Sequence, residues 1–242
     1  MSKRIALVTG ANKGIGFATA RALANKDVLV LVAGRNSVAV EDAVKELKAE
    51  GCDVDALVLD VTNEKSIDQA VEQVEKKYGR LDILINNAGV MKDVFDKTPS
   101  AQSLQIWRDT FETNVFGLVA VTNAFLPLIR KAPAGRIVNV SSILGSMAAN
   151  TDPTSAFYGF KIPAYNISKS AVNAWTVHLA YELRETGIKV NAAHPGFVKT
   201  DLHGVDAPMS WDEGAVTSVS LALLANDGPN GGFFHENEEQ PW

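Results

Sequence analysis

The sequence holds a single cysteine, Cys52, among 242 residues, so an intramolecular disulfide is excluded and a cysteine-based metal cluster has no basis. Basic charge is also scarce. The 23 lysines and arginines stand against 28 acidic residues, for a net charge of −5, and no long basic block offers a footprint for nucleic acid. The longest apolar stretches, such as Val115–Leu128, are interrupted by glycine, threonine, asparagine or proline and fall short of a membrane-spanning helix. The start Met1–Arg4 lacks a secretory leader, which together with the lone thiol points to a reducing cytoplasmic compartment. Repeats, low-complexity tracts and linkers are missing too. The length suits one large α/β domain or two small ones, and without a linker the reading is a single domain over 1–242.

What the chain does have is alternation. Apolar, β-branched runs recur at Ile5–Val8, Val28–Val32, Val54–Leu59, Leu81–Ile85, Arg136–Val140, Ile188–Ala192 and, more weakly, Gly232–His235. Amphipathic segments of helical length separate most of them: Ile15–Asn25, Ser37–Glu50, Ser66–Tyr78, Leu104–Arg130, Ala164–Glu185 and Asp212–Leu224. Such a pattern predicts a parallel sheet with helices on both faces, wound by right-handed crossovers. Gly51, Gly79 and Gly187 stand where helices must stop, and Pro127 is expected to kink or shorten the segment around it. Ligands of a doubly wound sheet bind beyond the C-terminal strand ends, so the loops opening at Thr9, Ala33, Asp60, Asn86, Ser141 and Ala193 carry the function.

The first of these loops reads T-G-A-N-K-G-I-G over Thr9–Gly16. Gly10, Gly14 and Gly16 depart from the G-x-G-x-x-G spacing, but they serve the same end. The turn is tight, and bare enough of β-carbons for a pyrophosphate to reach backbone N–H groups at a helix N-terminus. The competing reading is a tight turn with no ligand. After the second strand, Gly34 and Arg35 stand where a carboxylate would meet a free ribose 2′-OH. Arg35, with Lys13 as a second cation, instead suits an adenosine 2′-phosphate, unless both are solvated surface charges. Asp60 either accepts the adenine amino group, with Val61 packed on the ring, or caps the helix that follows. In Asn86-Asn87-Ala88-Gly89, small residues let a cofactor lie against the backbone and asparagine side chains tie neighbouring loops together.

Tyr165 and Lys169 are four apart at the start of a predicted helix and so share a face. A phenol titrates near ~10 when unperturbed, and a neighbouring ammonium favours its phenolate. A lowering of about 2–3 units corresponds to roughly 3–4 kcal/mol and would equip the tyrosine to exchange a proton with a carbonyl oxygen. The alternative is a surface contact between the ring and the lysine stem. Ser141 and Ser142 lie at the mouth of the fifth strand, where one hydroxyl can hold a substrate oxygen. Asn114 is poorly placed by helix propensity; it either binds a water linking Lys169 to solvent or is a satisfied core amide. His194 and His178 read as structural or surface residues.

Taken together, T-G-A-N-K-G-I-G (9–16), N-N-A-G (86–89), Asn114, V-N-V-S-S (138–142), Y-N-I-S-K (165–169) and P-G-F-V-K-T (195–200) resemble the short-chain dehydrogenase/reductase family, closest to its carbonyl-reductase-like branch. The resemblance spans essentially the whole chain in the right order. It implies a Rossmann-type doubly wound sheet of seven strands in the order 3-2-1-4-5-6-7. It implies a catalytic tetrad of Asn114, Ser142, Tyr165 and Lys169, with Lys169 also holding the nicotinamide ribose. The cofactor set it implies is Gly10, Asn12, Lys13, Gly14, Ile15, Gly16, Arg35, Asp60, Val61, Asn87, Ala88, Gly89, Tyr165, Lys169, Pro195, Gly196, Val198 and Thr200, with Lys13 and Arg35 marking NADP(H) over NAD. No metal is implied. The activity is then NADPH-dependent reduction of a ketone, aldehyde or quinone, reversible as an alcohol dehydrogenase. Rivals are a 3-oxoacyl-thioester reductase of the same fold and a non-catalytic NADP(H)-sensing interaction protein.

Two departures from the family pattern stand out. Ser142 and Tyr165 are 23 positions apart, wider than is usual, which marks an inserted segment of about 145–163 that rims the pocket. An insertion there bears on oligomeric state, since relatives with a larger one are monomeric; monomer and homo-oligomer stay open. The chain also ends soon after Gly231-Gly232, leaving little to close the substrate side. Segments Met91–Ser100, Ile143–Pro163 and Phe197–Trp211 should build the substrate pocket. Met147, Phe157, Phe160, Phe197, Met209 and Trp211 among them suggest a small apolar or aromatic carbonyl compound.

Overall fold

Along β1 (Arg4–Thr9), Ile5 and Leu7 face one side of the sheet and Ala6 and Val8 the other, and all four are buried. The same two-sided burial holds for β2 (Val28–Gly34), β4 (Ile83–Asn86) and β5 (Arg136–Val140), which explains why these strands read as continuous apolar runs. With β3 (Val54–Val58), β6 (Lys189–Ala193), β7 (Phe233–His235) and β8 (Glu238–Glu239) they form one sheet of order β3-β2-β1-β4-β5-β6-β7-β8. The computed structural model describes residues 3–201 and 206–242.

Helices α1 (Gly14–Ala24), α2 (Ser37–Ala49) and α8 (Trp211–Ala222) cover one face through Phe17, Leu23, Leu47 and Leu221. Helices α3 (Glu64–Tyr78), α5 (Leu118–Ile129) and α7 (Pro163–Glu182) cover the other through Val74, Phe125, Ile129 and Leu179. Two short helices, α4 (Leu104–Phe111) and α6 (Met147–Thr151), lie on the way to α5 and α7.

The seven strands expected from the family resemblance stand in the expected order, and an eighth is added. β8 runs antiparallel to β7 across a two-residue turn in which Glu236 takes a left-handed φ of 54° and donates its N–H to Thr217 Oγ1 at 2.7 Å. Neither Glu236 nor Asn237 is a glycine, so the hairpin carries no local signature. Gly51 and Gly79 adopt left-handed φ values of 85° and 74° at their helix ends. Gly187 does not terminate α7, which stops at Glu182 with Leu183 as its cap.

The long segment expected at Leu104–Arg130 is helical throughout but not uniform. α4 passes into one π turn at Glu112–Gly117 and then into α5, so the interruption falls at Asn114 rather than at Pro127. Pro127 stands in the last turn of α5, which ends two residues later at Ile129. By length and hydropathy the run Leu104–Ile129 reaches the range of a membrane span. Its apolar residues Val121, Phe125, Leu128 and Ile129 are instead packed against the sheet.

Candidate active site

A cleft of about 740 Å³ opens over the C-terminal ends of β1, β2, β4, β5 and β6. Gly10, Asn12, Lys13, Gly14, Ile15 and Gly16 form its floor at the start of α1. Glycine is required there by close approach. A Cβ on Gly10 would sit 3.0 Å from Ala88 Cα, and one on Gly16 would meet Asn87 Nδ2 at 2.5 Å and Gly10 O at 2.6 Å. Lys13 stands at the N-cap of α1 without a side-chain cap, and the first turn carries no acidic residue, so the helix offers its N–H groups and the positive end of its dipole to the cleft.

Thr9 and Asn87 stitch this floor to the loop after β4. The Thr9 hydroxyl accepts from the backbone N–H groups of Asn87 and Ala88, each at 3.0 Å, while Asn87 Nδ2 donates to Thr9 O at 2.8 Å and Gly10 O at 3.2 Å. The loop-tying expected of the asparagines is therefore met by Asn87. Asn86 turns inward instead, donating to Thr122 Oγ1 and Asn139 Oδ1.

Arg35, Asp60, Val61, Ala88 and Gly89 line the walls of the cleft. The helix after Asp60 is capped by Asn63, whose side chain accepts from Ser66 N, so Asp60 is not the cap. Asp60 Oδ1 accepts from both the N–H and the hydroxyl of Thr62, at 3.0 and 2.8 Å. Lys13 is paired with Asp201 across the cleft mouth, and both side chains are largely exposed. Pro195 and Thr200 line the cleft; Gly196 lines a neighbouring cavity, and Val198 is fully buried beneath it against Gly214. These two positions of the expected cofactor set thus stand behind the wall rather than in it.

Tyr165 and Lys169 meet at the inner end of the same cleft, one helical turn apart on α7 and both only 5% exposed. Lys169 Nζ lies 5.6 Å from the centre of the Tyr165 ring and donates to Val140 O at 2.8 Å. Burial decides the titration of both. It pushes the phenol up to about 12, against a smaller opposing pull from the Ser142 hydrogen bond, and it draws the ammonium down to about 8. With the protein's own groups alone, desolvation sets the direction in which the phenol titrates.

The serine pair divides. Ser142 hydrogen-bonds the phenol, whereas Ser141 turns away to Asn173 Oδ1 at 2.6 Å. Asn114 commits both amide hydrogens and one lone pair of its oxygen to neighbours. Its Oδ1 accepts from Val90 N at 2.8 Å, and its Nδ2 donates to Val90 O at 2.8 Å and Ser168 Oγ at 3.0 Å. A Cβ on Gly89 would lie 3.5 Å from Asn114 Oδ1 and 3.6 Å from Lys169 Nζ, so the missing side chain keeps the space between them open.

A second cavity, of about 540 Å³, adjoins this end and is lined by Ile143, Phe157, Phe197, Met209, His194 and His235, among others. Of the aromatic and aliphatic residues expected to build a substrate pocket, Phe157, Phe197 and Met209 line this cavity. Met147 and Phe160 point to solvent, at 60% and 56% exposure, and Trp211 lines the glycine-loop cleft. Part of the expected segment, 202–205, lies outside the described residues. The C-terminus corrects another expectation. Gln240 and Pro241 wall this cavity, Trp242 stacks on Phe233 at 5.6 Å, and Trp242 O accepts from Ala148 N at 3.0 Å. His194 accepts from Gly196 N through Nδ1 at 3.3 Å while also lining this cavity, and His178 lies exposed on α7.

The sequence gives no hint of one further residue. Asp93, 7% exposed, accepts from Ala164 N at 2.9 Å and Tyr165 N at 3.0 Å, and so caps α7 from a distant loop.

The family model for the short chain dehydrogenases matches residues 4–210. A short-chain dehydrogenase of Penicillium roqueforti is 40% identical, covering 92% of this chain and 89% of that one. Carbonyl reductase [NADPH] 1 of Mus musculus is 37% identical, covering 100% and 99%. Among solved structures, the NADPH-bound carbonyl reductase from chicken fatty liver superposes with a TM-score of 0.87 at 27% identity, covering 100% and 95%. The chain belongs to the short-chain dehydrogenase family.

Proposed function

We propose that this protein is an NADPH-dependent reductase of small apolar or aromatic carbonyl compounds, with Tyr165 as the proton donor. The observation that carries the reading is the single cleft running from the glycine turn and Arg35 to the buried Tyr165 and Lys169. The curated and solved relatives named as NADPH-linked carbonyl reductases support it. The floor fits a dinucleotide, because Gly10 and Gly16 keep β-carbons out of a cradle facing uncapped N–H groups of α1. Asn12, Gly14, Ile15, Asn87, Ala88, Pro195 and Thr200 would complete the hold, and Arg35 with Lys13 would take the 2′-phosphate. When bound, NADPH supplies the hydride.

The chain's own groups manage the proton and the oxygen. Ser142 donates a hydrogen bond to the carbonyl oxygen, one that strengthens as negative charge builds there. The phenol, neutral at physiological pH because burial pushes it up to about 12, gives its proton to that oxygen. An alkoxide is roughly as basic as hydroxide and far more basic than a phenolate, so transfer from the phenol runs downhill. Lys169 orients the site through Val140 O and, when charged, stabilises the phenolate left behind. The reverse reaction needs that phenolate at the outset, so alcohol oxidation is the harder direction. Phe157, Phe197, Met209 and Ile143 favour an apolar substrate body over a charged thioester carrier. The lone buried thiol suits a cytoplasmic setting.

Tyr165→Phe tests the assignment. NADPH binding, followed by its fluorescence, should persist while reduction of aromatic ketones, aldehydes and quinones is lost. Turnover close to the wild type would end the assigned role. Free ketones assayed beside acyl thioesters separate this reading from its nearest rival.

A further inference from the structure

The N-terminus of α7 has no cap of its own. Ile162 stands at the N-cap position with a side chain that accepts nothing, and Pro163 opens the helix. The N–H groups of Ala164 and Tyr165 are buried and would be orphaned there. Asp93, from the loop after β4, accepts both, one on each carboxylate oxygen. The carbonyl of Tyr165 is held as well. It accepts from Ser168 Oγ at 2.7 Å, Ser168 accepts from Asn114 Nδ2, and Asn114 grips both backbone polar groups of Val90. Val90 and Asp93 belong to one loop, so the backbone of Tyr165 is clamped on both sides by the same four residues. A second carboxamide, Gln102, fixes the next residue, Val94, through its N–H and C=O at 3.1 and 2.8 Å.

We propose that Asp93 is a positioning residue for the Tyr165 phenol, tying the loop after β4 to the first turn of α7. The inference rests on Tyr165 as proton donor. A merely local cap would stabilise the helix and leave the phenol indifferent to where the cap comes from. A clamp from the loop after β4 fixes the phenol relative to Gly89 and the cleft floor. Small displacements of a reacting group are costly, up to roughly 100-fold for about 1 Å.

Three variants test it: Asp93→Ala, Asp93→Asn, and Asp93→Ala combined with Ile162→Ser, which supplies a cap from α7's own N-cap position. Steady-state kinetics, NADPH titration, thermal unfolding and amide exchange at Ala164 and Tyr165 are read on each. Asp93→Ala should lower kcat about 10- to 100-fold with NADPH affinity held within about threefold. The added serine should recover amide protection at Ala164 and Tyr165 but not kcat. Recovery of kcat together with that protection, an unaltered kcat in Asp93→Ala, or a loss of NADPH affinity as large as the loss of kcat would each overturn the proposal. Should Asp93→Ala not fold, Asp93→Asn decides. It keeps the shape and one acceptor oxygen, so a reduced kcat at unchanged NADPH affinity supports the clamp and a wild-type kcat rejects it. A wild-type protein without NADPH-linked turnover would refute the role of Tyr165, whereas an active wild type with an equally active Asp93→Ala refutes this inference alone.

Discussion

Replacing Gly16 by alanine sets two effects of opposite sign against each other. In an exposed helix interior the change gains about 1 kcal/mol, because alanine is the better helix former. Here the added Cβ would stand 2.5 Å from Asn87 Nδ2, 2.6 Å from Gly10 O and 2.9 Å from Ala11 Cα. Two of these three atoms are backbone, so no change of rotamer relieves them. Overpacking of this kind costs about 1–3 kcal/mol. Displacing Asn87 also breaks its hydrogen bonds to Thr9 O and Gly10 O, at about 1 kcal/mol each. The losses exceed the gain by about 2–4 kcal/mol, so Gly16→Ala should unfold at clearly lower urea concentration and bind NADPH at least about tenfold more weakly. Gly159→Ala is the control, since nothing lies within 4 Å of a Cβ built there. A Gly16→Ala protein as stable as the wild type, with undiminished NADPH affinity, would refute the close-approach argument.

The pH dependence of stability should report the buried lysine. Lys169 titrates near 8 when folded against an ordinary 10.5, so between those values only the unfolded chain holds the proton. Stability is therefore gained as pH rises through this window and lost as pH falls towards 8. Relative to Lys169→Met, the wild type should gain about 2 kcal/mol between about pH 7 and 9.5 in denaturant titrations, and parallel curves would contradict the burial argument. Tyr165 has the opposite sign and acts only above pH 10. In catalysis the raised phenol predicts that alcohol oxidation accelerates about tenfold per pH unit from about pH 6 to 7.5 and levels off as Lys169 loses its charge near 8, with carbonyl reduction changing far less; equal profiles would argue against phenolate as the base. Asp201→Asn frees Lys13 from its partner, and NADPH affinity should rise about two- to fivefold at low salt with NADH affinity unmoved. An identical gain for both cofactors would show that Lys13 does not meet the 2′-phosphate.

Features encoded within a few residues were legible in advance. The apolar runs mark the strands because both sheet faces are covered, and the glycine turn announces itself because close approach tolerates no other residue at Gly10 and Gly16. Tyr165 and Lys169 are paired by helical spacing alone. What escaped depends on partners far away in the chain. Asp93 caps a helix 71 positions on, Asn114 spends its amide on Val90 and Ser168, and the β8 turn leans on Thr217. The direction in which the phenol titrates in the protein alone is hidden from the sequence for a related reason. The lysine neighbour is visible in sequence, but the depth of burial that opposes it is a property of the folded chain.

The π turn at Glu112–Gly117 acts as a frameshift written into a helix. It accommodates an extra residue, and at 3.6 residues per turn one residue swings every later side chain by about 100°. Within the turn Asn114 looks towards Val90, while beyond it Val121 and Phe125 of α5 look towards the sheet. Deleting a single residue from this turn would bring the two halves into phase and rotate one set of side chains out of place. The helix therefore tolerates most changes of letter here better than a change of length.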